Sequence, residues 1–308
     1  MVDQPLAAQK RSLSPSDFDV CVIGHVTKDI IRVARTTTAT PGGTAYYTSM
    51  GLRRFGLRVA VVTRVTKEDE DLLLGNLSGE KIAVFSKKST NSSAFENAYS
   101  GENLDTRLQR IRSIGEPFST EDIGTIKAAS FHVGPLTNQD ISIDFLKQLA
   151  DRPGMVSLDV QGMLRPARVG EVREEDWHDK EEGLAYVDII KADEREALIL
   201  SGQKVSDRAA EELASLGPKE VIITMGSRGS LIYAEQTLHR VPCFVPRQAG
   251  YPTGCGDTYM AGYLSQRLKG VAPELAGRFA SATATLKMES PGPFSRSEED
   301  VNALLSRR

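Results

Sequence analysis

Short runs of β-branched and apolar residues alternate along the chain with longer stretches whose apolar residues recur at spacings of three and four. The runs at 19–24 (DVCVIG), 59–65 (VAVVTRV), 128–134 (AASFHVG), 156–161 (VSLDVQ), 187–192 (VDIIKA) and 220–226 (EVIITMG) predict strands. Several are apolar almost without a break, as expected of strands covered on both faces. Between them, 44–56, 138–150 and 206–217 predict helices, with Ile141, Phe145 and Leu149 on one face of the second. Gly56 and Gly217 stand where helix C-caps are expected. This alternation predicts an α/β fold: a doubly wound, mainly parallel sheet flanked by helices.

The rhythm changes after residue 226. Residues 230–235 and 238–244 predict an antiparallel hairpin, followed by long helices from Asp257 to about Gly270 and from Ala272 to about Glu289. A last helix starts near Ser297, with Asp300 completing an acidic variant of a capping box. Two other regions interrupt the alternation: the Thr-rich 31–43 and the mixed aromatic and polar 91–112. They predict strands outside the main sheet, forming a small β lid over a pocket or simple surface hairpins. Exposed edges on such a lid could pair two copies of the chain into a homodimer. Residues 1–18 are polar and carry Pro and Ser, which predicts a flexible tail ahead of one domain over 19–308.

Composition narrows the function classes. Of 308 residues, 40% are hydrophobic and 26% charged, with a net charge of −3. No dense basic stripe is present, so nucleic acid is not expected as a partner. No apolar run approaches 18 residues, so no membrane span is expected. The three cysteines form no CxxC pair and the four histidines lack metal-ligand spacing, which argues against a zinc site. Cys21 and Cys243 lie in strand-like runs and are expected to be buried. An odd, small cysteine count suits a reducing compartment, and the expected location is cytoplasmic.

The most informative stretch is 252–263, PTGCGDTYMAGY. A turn with two glycines runs straight into an apolar helix. Glycines let backbone N–H groups crowd a ligand, and a helix N-terminus adds unsatisfied donors and a positive dipole end. Gly254, Cys255 and Gly256 therefore form a candidate anion hole for a transferring phosphoryl group. Asp257, in the first helical turn, is placed to take the proton of an attacking hydroxyl. The bland alternative is a Gly-rich turn with an acid at a favourable helix position. No P-loop, no protein-kinase H-R-D and D-F-G set and no dinucleotide G-x-G-x-x-G occurs.

Tyr251-Pro252-Thr253-Gly254-Cys255-Gly256-Asp257 resembles the C-terminal signature of the ribokinase-like (PfkB) carbohydrate kinase family, roughly D-T-x-G-A-G-D. Tyr-Pro replaces the usual opening, and Cys255 stands where Ala is common. Other segments fall in the family's order over about 19–300. Asp29 and the pair Gly42-Gly43 match its substrate-binding region, and Thr224, Gly226 and Gly229 match its nucleotide turn. Asp193 and Glu196 match its N-x-x-E motif near metal and phosphates, with Asp replacing Asn. The resemblance implies ATP and Mg²⁺ as cofactors, with a monovalent cation as a further family property. It sets Lys191 and Thr253 beside the nucleotide, Asp193 and Glu196 near the metal, and a small molecule as acceptor. The phrases at 104–111, 132–136 and 159–165 look most like inositol kinases, which implies myo-inositol as acceptor, with Asn97, Gln161 and Arg165 joining Asp29 around it. Nucleosides and simple sugars remain alternative acceptors. A non-catalytic ligand sensor on the same fold is the reading from another class.

Overall fold

The computed structural model describes residues 18–33, 36–99, 107–248 and 250–307. Of the expected tail at 1–18, residues 1–17 lie outside the described residues and Phe18 opens the first strand; parts of the two lid segments (34–35 and 100–106) also lie outside them. In chain order the strands are β1 (Phe18–Ile23), β2 (Thr27–Val33), β3 (Thr36–Gly42), β4 (Val59–Val65), β5 (Ala83–Lys88), β6 (Ala94–Tyr99), β7 (Arg107–Ser113), β8 (Ala128–Val133), β9 (Met155–Asp159), β10 (Gly170–Glu171), β11 (Ile189–Asp193), β12 (Glu220–Thr224), β13 (Ser230–Ala234) and β14 (Thr237–Val241). The helices are α1 (Thr44–Arg54), α2 (Glu70–Gly79), α3 (Thr120–Ile123), α4 (Ile143–Ala150), α5 (Lys180–Leu184), α6 (Glu194–Ser201), α7 (Ser206–Ser215), α8 (Cys255–Arg267), α9 (Pro273–Met288) and α10 (Glu298–Leu305).

The continuous apolar runs become inner strands of a nine-stranded sheet in the order β14-β13-β12-β11-β9-β8-β1-β4-β5. Pairing is parallel from β12 to β5, and the β13–β14 hairpin adds antiparallel strands at one edge. Both faces are buried, as the runs predict. On β1, Cys21 and Ile23 enter a core with Phe145 and Leu149 of α4, while Val20 and Val22 enter the opposite core with Met50 of α1 and Met260 of α8. The chain places β4 and β5 on one side of β1, then returns to place β8 on the other. Such a reversal opens a crevice at the carboxyl ends of the strands.

The two interrupting regions form a separate five-stranded sheet, β10-β7-β6-β2-β3. β2 starts at Thr27, ahead of the expected 31, and pairs antiparallel with β3 and parallel with β6. The two-residue strand β10 adds an edge that no sequence pattern marks.

Other differences have local causes. The helix expected over 138–150 starts at Ile143, because Ser142 caps it by accepting from the Phe145 amide at 3.1 Å. Just before it, the Asp140 carboxylate accepts from the amides of Leu136 (2.8 Å) and Thr137 (3.2 Å) and holds a turn. Ile141 still packs into the same core as Leu146, a staple ahead of the N-cap. Cys21 is buried as expected, but Cys243 is exposed. Pro242 ends β14 at Val241, so Cys243 falls in the following loop. No helix among the described residues is long and apolar enough to cross a membrane.

Candidate active site

The turn 252–254 reaches α8 through Gly254, the helix N-cap, at φ +79°. A Cβ there would lie 2.4 Å from the Tyr47 ring, so only glycine fits both the backbone and the space. Gly256 and Asp257 follow in the first turn of α8, where amides have no helical acceptor. Lys191 approaches the same turn: a Cβ on Gly256 would lie 3.1 Å from its Nζ. Backbone donors, a helix end and an ammonium thus converge on one point, the composition of an anion hole.

Asp257 sits at this point with its backbone carbonyl accepting from the Thr48 hydroxyl at 3.3 Å. Burial pushes its carboxyl up to about 6, and the charges of Asp159 and Asp29 add to the effect. Lys191 and a hydrogen bond from Thr44 pull the other way. A base near 6 is ionised at neutral pH and still able to hold a proton.

Lys191 and Asp159 form a buried pair at 3.0 Å across neighbouring strands β11 and β9. Burial disfavours the ammonium, but Asp159, Glu196 and Asp257 outweigh it and raise its pKa. At the start of α6, Asp193 and Glu196 form a reciprocal box: the Glu196 amide donates to Asp193 Oδ1 at 2.8 Å, and the Asp193 amide to Glu196 Oε2 at 2.7 Å. Glu196 is 1% exposed, and its Oε1 has no hydrogen-bond partner. Burial pushes its carboxyl up to about 7, against the pull of Lys191 and with Asp159 and Asp193 adding to the rise. A buried, unpartnered carboxylate oxygen beside phosphate-binding groups is the kind of atom a hydrated cation satisfies. Among the described residues no group of three or more His, Cys, Asp or Glu could hold a metal ion by itself.

Asp257, the glycine turn, Lys191, Asp159 and Asp193 line a polar cavity of about 230 Å³. Its walls include Asp29, Gly43, Asn97, Gln161, Arg165, Lys191, Asp193, Thr224, Thr253, Gly254, Gly256 and Asp257. Gly42 is not in the wall, but a Cβ on it would come within 2.3 Å of Asp29 Oδ2. Asp29 in turn accepts from the Thr27 hydroxyl at 2.7 Å. Asn97 accepts from Gln109 Nε2 at 3.2 Å. Glu196 stands behind the wall.

A second, apolar groove of about 460 Å³ adjoins the cavity through Thr224 and Gly256. Gly226, Gly229 and Cys255 line this groove rather than the cavity, together with Phe244, Val245, Tyr259 and Met288. Thr44, Gln109 and Asp159 also line the polar cavity, although the sequence reading gives none of them a role there. A polar residue closing a parallel strand, as Asp159 closes β9, is the one sequence cue for such a site.

The profile of pfkB family carbohydrate kinases matches residues 162–300. The nucleoside kinase of Methanothermobacter thermautotrophicus is 40% identical over 80 residues, 26% of this chain and 25% of that protein. The cytidine kinase of Thermococcus kodakarensis is 25% identical over 261 residues, covering 82% of this chain and 90% of the relative. Among solved structures, a pyrophosphate-dependent kinase in the ribokinase family, complexed with a pyrophosphate analog and myo-inositol, superposes with a TM-score of 0.82 at 28% identity, covering 92% of this chain and 99% of that one. Residues 162–300 thus match the pfkB family of carbohydrate kinases, and the chain as a whole resembles solved ribokinase-family kinases in its fold and in the order of its motifs.

Proposed function

We propose that the chain is an ATP-dependent kinase of a polyhydroxylated small molecule, with myo-inositol as the acceptor. The observation that carries this reading is the wall of the cavity. In the cavity wall Asp29, Asn97, Gln109 and Gln161 offer a carboxylate and three amides, together with Arg165. The apolar side chains of the wall are Tyr47, Phe95, Leu136 and Pro252. A ring bearing hydroxyls on every side finds a partner for each, whereas a nucleoside base needs a larger apolar slot. The solved relative with myo-inositol supports the same choice. The curated relatives named as nucleoside and cytidine kinases favour a nucleoside as the second reading.

The donor reading follows from the two spaces. The apolar groove beside the anion hole suits a nucleobase, and the polar cavity suits the terminal phosphate. Pyrophosphate would leave the groove unused. Magnesium would be held by phosphate oxygens and, through water, by Asp193 and Glu196. When bound, it neutralises phosphoryl charge.

In the reaction, Asp257 takes the proton of the acceptor hydroxyl as that oxygen bonds to the terminal phosphorus. The bond from phosphorus to the bridging oxygen of ATP breaks, and ADP leaves. The turn 254–256 and Lys191 stabilise the charge that gathers on the transferring group. The small sheet, acting as a lid, excludes water and so suppresses ATP hydrolysis. Its β3 edge is the place where two copies would pair into a homodimer. All three cysteines are free, which supports a cytoplasmic setting.

The test is ADP release with Mg-ATP across myo-inositol, cytidine, adenosine, ribose and fructose, with pyrophosphate as the alternative donor. The reading expects myo-inositol with ATP to dominate. Turnover with cytidine alone replaces the acceptor. Turnover with pyrophosphate alone replaces the donor. Silence across the panel favours a ligand sensor.

A pH dependence follows from Asp257, whose carboxyl is pushed up to about 6. Its basic form is lost below that value, so kcat falls about tenfold per unit as pH drops further. Stability moves the other way. Between 3.8 and about 6 the folded chain holds this proton more tightly than the unfolded chain, so ionising Asp257 lowers stability as pH rises through the window. A kcat that stays flat from pH 7 to pH 5 contradicts the assignment.

A further inference from the structure

Lys287 lies in the last turn of α9 and is 2% exposed. Among the described residues no carboxylate stands within ion-pair distance of it, so the cation is held by neutral oxygens. Its ammonium donates to the main-chain carbonyls of Tyr251 at 3.0 Å and Ser290 at 3.4 Å. It also stands over the Tyr47 ring, 5.9 Å from the centroid. A buried ammonium is costly unless its surroundings stabilise it. Burial lowers its proton affinity, while Cys255 and Asp257 raise it.

The position explains the cost. Tyr251 lies three residues before Gly254, and its amide also donates to the Met288 carbonyl at 3.2 Å. Tyr47 is the ring against which Gly254 packs. Lys287 therefore supports the anion-hole turn from behind at two points, the Tyr251 carbonyl and the Tyr47 face. Main-chain carbonyls in a water-poor place are the ligands that a monovalent metal ion takes. A second cation beside Lys287 would meet like charge.

We propose that Lys287 is a built-in cation, a positioning residue that fills the carbonyl-lined place behind the turn 252–256, so that the enzyme works without a monovalent metal ion. The proposal rests on the kinase reading above. The ammonium fixes the Tyr251 carbonyl and adds positive potential behind the transferring phosphoryl group.

The test compares the wild-type chain with Lys287→Met, which keeps the aliphatic stem, and Lys287→Gln, which can still donate to both carbonyls. Assays run in potassium chloride and in tetramethylammonium chloride at equal ionic strength. The wild type is expected to give the same kcat in both. Both variants are expected to lose about tenfold to a hundredfold in kcat in tetramethylammonium, with acceptor KM little changed. Potassium or ammonium ions are expected to restore much of the loss in Lys287→Met. Thermal unfolding without substrates gives a second readout that stands whatever the acceptor: potassium should raise the Tm of Lys287→Met and leave that of the wild type unchanged. A wild type that needs potassium, full activity in Lys287→Gln, or a Lys287→Met protein indifferent to potassium in both readouts would overturn the proposal.

Discussion

Asp257→Asn lowers kcat about a hundredfold to ten-thousandfold, the range expected when a positioned base is removed. The amide keeps the size of the carboxylate and can still accept from Thr44, so the pocket keeps its shape. It cannot take the hydroxyl proton. Folding should not suffer, because the wild-type carboxyl is ionised at a cost set by burial and by the charges of Asp159 and Asp29. The Tm is therefore expected to stay level or rise slightly, and acceptor KM to change little. Steady-state kinetics and a melting curve on the same preparation check both halves. Near-normal turnover would remove Asp257 from the base role.

Gly254→Val is the second large effect. Two independent costs fall on one position. The φ of +79° is a left-handed conformation that costs an L-residue about 1–2 kcal/mol, and the new Cβ would stand 2.4 Å from the Tyr47 ring. Tyr47 is itself buried, so the turn must give way. Moving the amides of the anion hole is expected to cost about a hundredfold to a thousandfold in kcat. Gly56→Ala separates the two costs. Gly56 has φ +77°, nothing lies within 4 Å of the place its Cβ would take, and it is away from the cavity. It should lose about 1 kcal/mol of stability and keep its kcat. If Gly254→Val turns over normally, the hole lies elsewhere.

Much of the main sheet was legible because its inner strands are buried on both faces. Runs such as VAVVTRV and EVIITMG announce themselves without any partner. β5 did not, because as an edge strand it ends in exposed Ser86, Lys87 and Lys88. The β13–β14 hairpin was visible from its flanking runs, yet its turn residues Glu235 and Gln236 take φ of 51° and 60° without any glycine. The start of α4 depended on which polar side chain caps the chain, a choice that periodicity does not make.

The candidate site divides in the same way. Asp257 and the glycine turn stand out because helix-end chemistry is local in sequence. Asp29, Lys191 and Asp193 were reached through the family's motif order. Asp159 was not singled out, since its role arises from Lys191 on a strand that follows 32 residues later. Lys287 is likewise defined by the carbonyl of Tyr251, 36 residues away. Glu196 was likewise reached through the family's N-x-x-E motif, but its surroundings were not legible. The capping box with Asp193 turns it inward and leaves one oxygen buried without a partner. Only packing across distant segments creates such roles, and no single window of sequence contains them.

The central claim is that this cavity joins a hydroxyl to the terminal phosphorus of ATP. The most direct measurement is a single-turnover reaction with ATP labelled at the γ-phosphate, excess enzyme and myo-inositol, with the products separated by charge. The account predicts that the label appears in a phosphate monoester of myo-inositol, and that Asp257→Asn slows its appearance. Label that remains on ATP, or that emerges only as inorganic phosphate, would contradict it.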